Sequence, residues 1–244
     1  VQAQLSLLKP LTQTTKAPTA SSDSEFRQRA EAQFAEALKM QADSRLEEGG
    51  ASGDVLPASD QQRTLDRLVV AYGERLKLLD KIETLKTSGA VDSSRQSLIA
   101  EFSSAPPYAV ARVDLLRDEL DVLRDRLVSL KTQLNALELQ KASFLAVQRK
   151  FSEAYRLAED RFARAAGSPS AEIERRAQKL AELRVKLTDC ELSNAALSED
   201  AVREEMRLLT ANAAEVQQVV TRAISVQVLS KEALDKEKSR LNDH

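Results

Sequence analysis

From residue 113 to residue 166 the apolar positions repeat with a heptad spacing that no glycine or proline interrupts. Leu116, Leu120, Leu123, Leu127, Leu130, Leu134 and Leu137 follow one another at alternating steps of four and three. The same seam continues through Lys141, Phe144, Gln148, Phe151, Tyr155, Ala158, Phe162 and Ala165. A stripe of this period marks a coiled-coil helix. At about 1.5 Å rise per residue it would be on the order of 80 Å long. A one-sided stripe of that length requires a partner helix, from the same chain or from another. The expected fold is all-α, an elongated antiparallel coiled coil or helical bundle with one very long central helix.

The remaining sequence reads as further helices. Residues 1–23 carry an apolar patch (Leu5, Leu7, Leu8, Leu11) and then turn to Thr, Ser, Pro and Ala, a lead-in whose leucines would dock on a neighbour. A first helix is expected over residues 24–46, with Phe26, Ala30, Phe34, Leu38 and Ala42 four apart and Gly49-Gly50 as its stop. After a linker over residues 49–57, Ser59 and Gln62 form a capping-box pattern opening a helix over residues 59–87, with Gly89 closing it. A short helix over residues 93–102 precedes the break at Pro106-Pro107. Past Gly167, Ser168 and Pro169 offer a new N-terminus with Pro at the first helical position. The following helix would run back along the long one through Ile173, Leu180, Leu183, Leu187, Cys190 and Leu197. Ser198, Glu199 and Asp200 resemble a fresh cap, and the seam resumes in another phase at Val202, Met206, Leu209, Ala213, Val216, Val220 and Ala223. A break or stutter between residues 193 and 200 is therefore expected, with the last helix reaching about residue 241. The division is residues 1–58 as lead-in and first helix, and residues 59–244 as the coiled-coil domain.

Composition supports long helices over a compact core. Of 244 residues only 4% are aromatic and 30% are charged, with six Gly, six Pro and no Trp. The net charge of -2 gives no overall field for nucleic acid or an anionic membrane. On the long helix, Arg117, Arg124, Arg126, Lys131, Lys141 and Lys150 alternate with Asp118, Glu119, Asp121, Asp125 and Glu138, as on a solvated, ion-paired surface. No apolar run approaches the roughly 18 residues a membrane span needs. The chain opens with Val1, as expected of a processed or excised piece of a longer protein.

No catalytic, cofactor-binding or metal-ligating residue is expected. The single histidine, His244, is the last residue, so no histidine-based triad or metal site is expected. Cys190 lies on its helix seam, where a small buried hydrophobe is the expected role. The carboxylate pairs Glu47-Glu48, Glu199-Asp200 and Glu204-Glu205 fall at helix ends or solvated faces without calcium-loop spacing. Neither GxxxxGK[ST] nor GxGxxG occurs, so no phosphate cradle is expected. Lys141 and Gln148 occupy core heptad positions, where polar residues either fix register and partner number or mark exposure of the seam.

Two stretches carry a family resemblance. One is Pro106-Pro107-Tyr108-Ala109-Val110-Ala111-Arg112-Val113-Asp114-Leu115-Leu116-Arg117-Asp118-Glu119-Leu120, leading into the leucine heptads. The other is residues 180–197 with Leu197-Ser198-Glu199-Asp200-Ala201-Val202. Over residues 59–241 the chain resembles the extracytoplasmic N-terminal coiled-coil region, called the MscS porin domain, of large MscS-like mechanosensitive channels. The resemblance implies a periplasmic domain of an inner-membrane protein, with transmembrane helices and pore outside this chain. It implies as partners the protein's own channel domain, other copies of itself or cell-wall and envelope proteins, and no small-molecule substrate; nucleic acid is not expected on charge. The alternative is a free-standing coiled-coil structural or adaptor protein of the envelope or cytoskeleton. An enzyme is not expected.

Overall fold

The computed structural model describes residues 20–48, 55–88, 93–103, 108–225, 227–228 and 239. The expectations for the lead-in, Gly89, Pro106-Pro107 and His244 fall outside these residues. The described chain is an all-α helical bundle of five helices. They are α1 (Ala20–Glu48), α2 (Val55–Ser88), α3 (Ser93–Glu101), α4 (Val110–Arg164) and α5 (Ala171–Ile224). A two-residue parallel bridge, β1 (Tyr108–Ala109) with β2 (Gln227–Val228), ties the start of α4 to the end of α5.

Helix α4 has 55 residues and α5 has 54, each about 80 Å of helix. Side chains pair Arg124 with Gln217, Arg126 with Glu205, Lys141 with Glu199 and Gln148 with Asp189, so one helix descends as the other climbs. The reversal is made at Gly167, whose φ of +79° is left-handed and suits a residue without Cβ. Ser168 N–H donates to Ala165 O, and Ala171 N–H to Ser168 O, as the chain turns. Ser170 is the N-cap and Ala171 the first helical residue. Pro169 therefore sits inside the turn and not at the first helical position, because the chain needs those residues to reverse direction.

Helix α1 lies antiparallel to α2. Arg27 bonds Asp80 at 2.6 Å and Glu83 at 2.9 Å near one end, and Gln41 bonds Asp66 at 2.6 Å toward the other. Helix α2 starts at Val55, before the expected Ser59–Gln62 box, which consequently lies within the helix. Pro57 is tolerated there because a first-turn residue needs no intrahelical N–H bond.

The core has two main clusters, and α5 belongs to both. Leu183, Leu187 and Cys190 of α5 pack with Leu65, Leu68, Ala71 and Tyr72 of α2 and Ala37 of α1. Further along, Val216, Val219 and Val220 pack with Leu116, Leu120 and Leu123 of α4, closed by Leu98, Ile99 and Phe102 around α3. The helix on which the others assemble is thus α5, although α4 has the longer leucine seam.

Of the break or stutter expected between residues 193 and 200, the break is absent, since α5 is continuous from Ala171 to Ile224. Its seam changes phase because α5 changes neighbours: the first half faces α2 as well as α4, and the second faces α4 and α3. A helix covered on two sides needs a wide apolar band, and two partly overlapping stripes mimic a stutter in sequence. The last helix also ends earlier than expected, at Ile224, where the chain turns to the extended Gln227–Val228 pairing.

Leu116 is fully buried, whereas Leu139 is 74% exposed on the outer face of the same helix. Leu116→Ala is expected to lower the unfolding free energy by about 3 kcal/mol through lost burial and an unfilled cavity. Leu139→Ala should change it by less than about 0.5 kcal/mol. Urea denaturation of both variants checks the assignment; equal effects would contradict it.

Candidate functional site

The polar chemistry of this protein is concentrated where α5 meets its two neighbours. Glu199 is expected from sequence to cap a helix on a solvated face. Instead its side chain is 9% exposed and accepts from Lys141 Nζ of α4 at 3.0 Å and from Arg203 of α5. Glu205, also read as surface, is 18% exposed and accepts from Arg126 of α4 at 2.8 Å, with Lys81 of α2 at 3.4 Å. Glu199 is buried and Glu205 half-buried because α5 has helices on two sides where the sequence pattern displays only one stripe. Asp200 is exposed, as expected, and Glu204 pairs with Arg207 on its own helix. The side chains of Glu47 and Glu48 lie outside the described residues.

The two polar seam residues are resolved by the same geometry. Lys141 and Gln148 are half-buried, and each reaches an acid on α5, with Gln148 Nε2 donating to Asp189 Oδ1 at 2.6 Å. Of the two roles open to them, register-setting cross-helix pairing is the one realised. The basic residues of α4 divide in two. Arg117 and Arg124 reach Asp114 and Asp121 on their own helix, while Arg124 and Arg126 also cross to α5.

Between α1, α2 and α5 lies a polar network absent from the sequence-based expectations. Arg75 is only 7% exposed. Its Nη1 donates to Gln33 Oε1 at 2.9 Å, its Nε to Asn194 Oδ1 at 3.3 Å and its Nη2 to Cys190 O at 3.3 Å. Asn194 Nδ2 in turn donates to Ala71 O at 2.7 Å. The guanidinium also stands 5.3 Å from the Tyr72 ring centroid, within cation–π range. The sequence does contain a sign of this arrangement. Arg75 follows Tyr72 by three residues and Leu68 by seven, which places it on the apolar stripe of α2. Taking Leu76 as the stripe residue hides it.

Cys190 is buried, as its seam position implies, and burial pushes its thiol up to about 11. At neutral pH it is a protonated, poorly nucleophilic thiol. Burial likewise raises the Tyr72 phenol. Two clefts flank α5. One, of about 390 Å³, is lined by α1, α2 and α5 around Arg75. The other, of about 560 Å³, lies between α2, α4 and α5, where Arg184 stands 6.0 Å from the Phe151 ring centroid. Among the described residues no group of three or more His, Cys, Asp or Glu side chains is placed to hold a metal. None of their helices is long and apolar enough to cross a membrane.

No protein-family model, curated protein or solved structure matches the chain. What the arrangement does chemically is hold three long helices at fixed offsets. Leucine seams alone would allow slippage by a heptad, whereas the Lys141–Glu199 and Gln148–Asp189 bonds form only at the observed register.

The hydrogen bond from Lys141, with the neighbouring charges, keeps the Glu199 carboxyl below its usual value near 4.5. A carboxyl lowered in the folded state adds stability above its unfolded value, and that contribution is lost as pH falls through the folded value. Wild type should therefore lose stability more steeply than Glu199→Gln between about pH 5 and pH 3. Denaturant midpoints measured across that range check this; parallel curves would contradict it.

Proposed function

We propose that this chain is a stiff periplasmic arm of a bacterial MscS-like mechanosensitive channel, acting as spacer, anchor or modulator of a membrane part outside the chain. The observation that carries the reading is the α4–α5 hairpin. Two helices of 55 and 54 residues are paired by cross-helix hydrogen bonds from Arg124 to Gln148. Helix α2 buttresses one flank through Arg67–Glu191, Arg75–Asn194 and Lys81–Glu205. Paired helices resist extension along their axis because stretching them breaks hydrogen bonds and seam packing together. A rod with that property suits the restraint or transmission of movement better than it suits catalysis. The channel assignment rests on the resemblance carried by residues 106–120 and 180–202. Its partners would be its own membrane domain, further copies of itself or components of the cell wall.

The test has two arms. Read past residue 244, the natural frame should encode several apolar spans of about 20 residues followed by a soluble domain. A frame with no such span on either side leaves a free-standing coiled coil. In the whole protein, deleting the arm should shift the tension at which the channel opens, or disturb assembly or placement. If all three are unchanged, the mechanical role is wrong.

A further inference from the structure

We propose that the cleft between α1, α2 and α5 is a binding site for a small, singly charged oxyanion, a carboxylate or a phosphate, seated on Arg75. Arg75 is more than nine-tenths buried, yet none of its hydrogen bonds goes to a carboxylate. Its acceptors are the Gln33 and Asn194 side-chain amides and the Cys190 carbonyl. A buried charge whose bonds all go to neutral groups is costly, because neutral acceptors offset only part of the lost hydration. Of five guanidinium N–H donors, these bonds use three, so donors remain in the planar fork that fits carboxylate and phosphate oxygens.

A second buried group lines the same cleft. Tyr72 is 8% exposed, and its hydroxyl makes no hydrogen bond to the described residues, leaving a donor for an oxyanion. Lys186 and Ser193 line the cleft as well, adding a half-buried cation and a hydroxyl. Lys186 is held by Glu182 at 2.9 Å on its own helix. The volume of about 390 Å³ accommodates a small organic acid or a phosphate ester. Two carboxylates also line it, Glu36 and Asp189, both exposed, and Asp189 already accepts from Gln148. Their repulsion selects a monoanion over a multiply charged ligand. It also favours ligands whose own donor groups face Glu36. Since the site draws on α1, α2 and α5 together, an anion bound there would brace the three-helix junction.

The test uses the whole chain at about pH 6, where phosphate is mostly singly charged. Thermal unfolding is followed while sodium acetate or, separately, sodium phosphate replaces sodium chloride at constant ionic strength. At least one anion should raise the midpoint saturably over chloride, and the arm that responds identifies carboxylate or phosphate as the preferred ligand. Arg75→Gln should abolish the rise, and Lys186→Gln should weaken the apparent affinity several-fold. If Arg75→Gln does not fold, the Arg75 Nε–H resonance of the ¹⁵N-labelled wild type carries the test, and it should move in titration with the same anion. Equal midpoints in chloride, acetate and phosphate would overturn the proposal. So would a rise that survives Arg75→Gln, or an Arg75 resonance that neither anion moves.

Discussion

Between Leu183 and Val202, helix α5 packs its apolar side chains on α2 while Asp189 and Glu199 are bonded from α4, and the other contacts depend on that two-sided cover. A helix about 80 Å long with one apolar face needs a cover along its whole length. Helix α4 supplies it on one side and the α1–α2 pair on another, with α3 closing the far end. From Leu134 onward, α4 seam residues such as Phe144, Phe151, Tyr155 and Phe162 are half-buried, and only Ala158 is fully buried. The hairpin therefore has a well-packed base and a lighter tip that ends at Gly167.

Within that frame, polar side chains at core positions decide which offset the helices adopt. Glu199 with Lys141, Asp189 with Gln148, Glu205 with Arg126 and Lys81, and Asn194 with Arg75 are spread along the junction. Each of these cross-helix bonds is lost if a helix slides by a heptad, while leucine packing would change little. Burying these groups costs hydration, so their contribution is to uniqueness of register more than to net stability. Arg75 differs from the charged pairs among them because none of its hydrogen bonds goes to a carboxylate, which is the basis for proposing its cleft as a place for a ligand.

The all-α class and the rough span of every helix were legible because heptad periodicity and Gly or Pro stops act locally. The misplaced features depend on tertiary contact. The phase shift near residue 197 reads as a break when one partner is assumed, and as a continuous helix once α2 and α4 are both present. Ser59 and Gln62 fit a capping box, yet α2 gains another turn because Pro57 is compatible with a helix start. Glu199 and Glu205 look like surface acids until the second neighbour covers them. Arg75 was visible as a charged residue on an apolar stripe, a signal equal to that of Lys141, but its polar partners come from helices distant in sequence. No chemical motif accompanies any of these residues, so a mechanical reading of the chain rests on shape and a ligand site on one buried guanidinium with spare donors.

The central claim is that α5 is one unbroken rod. Spin labels on cysteines placed at the exposed positions Arg176 and Thr221, in a Cys190→Ala background, measure it directly by pulsed electron resonance. A continuous helix predicts a single narrow distance distribution centred at about 70 Å. A shorter or broad distribution would mean that the helix bends or breaks near residues 193–200, and the two-sided packing around α5 would then be wrong.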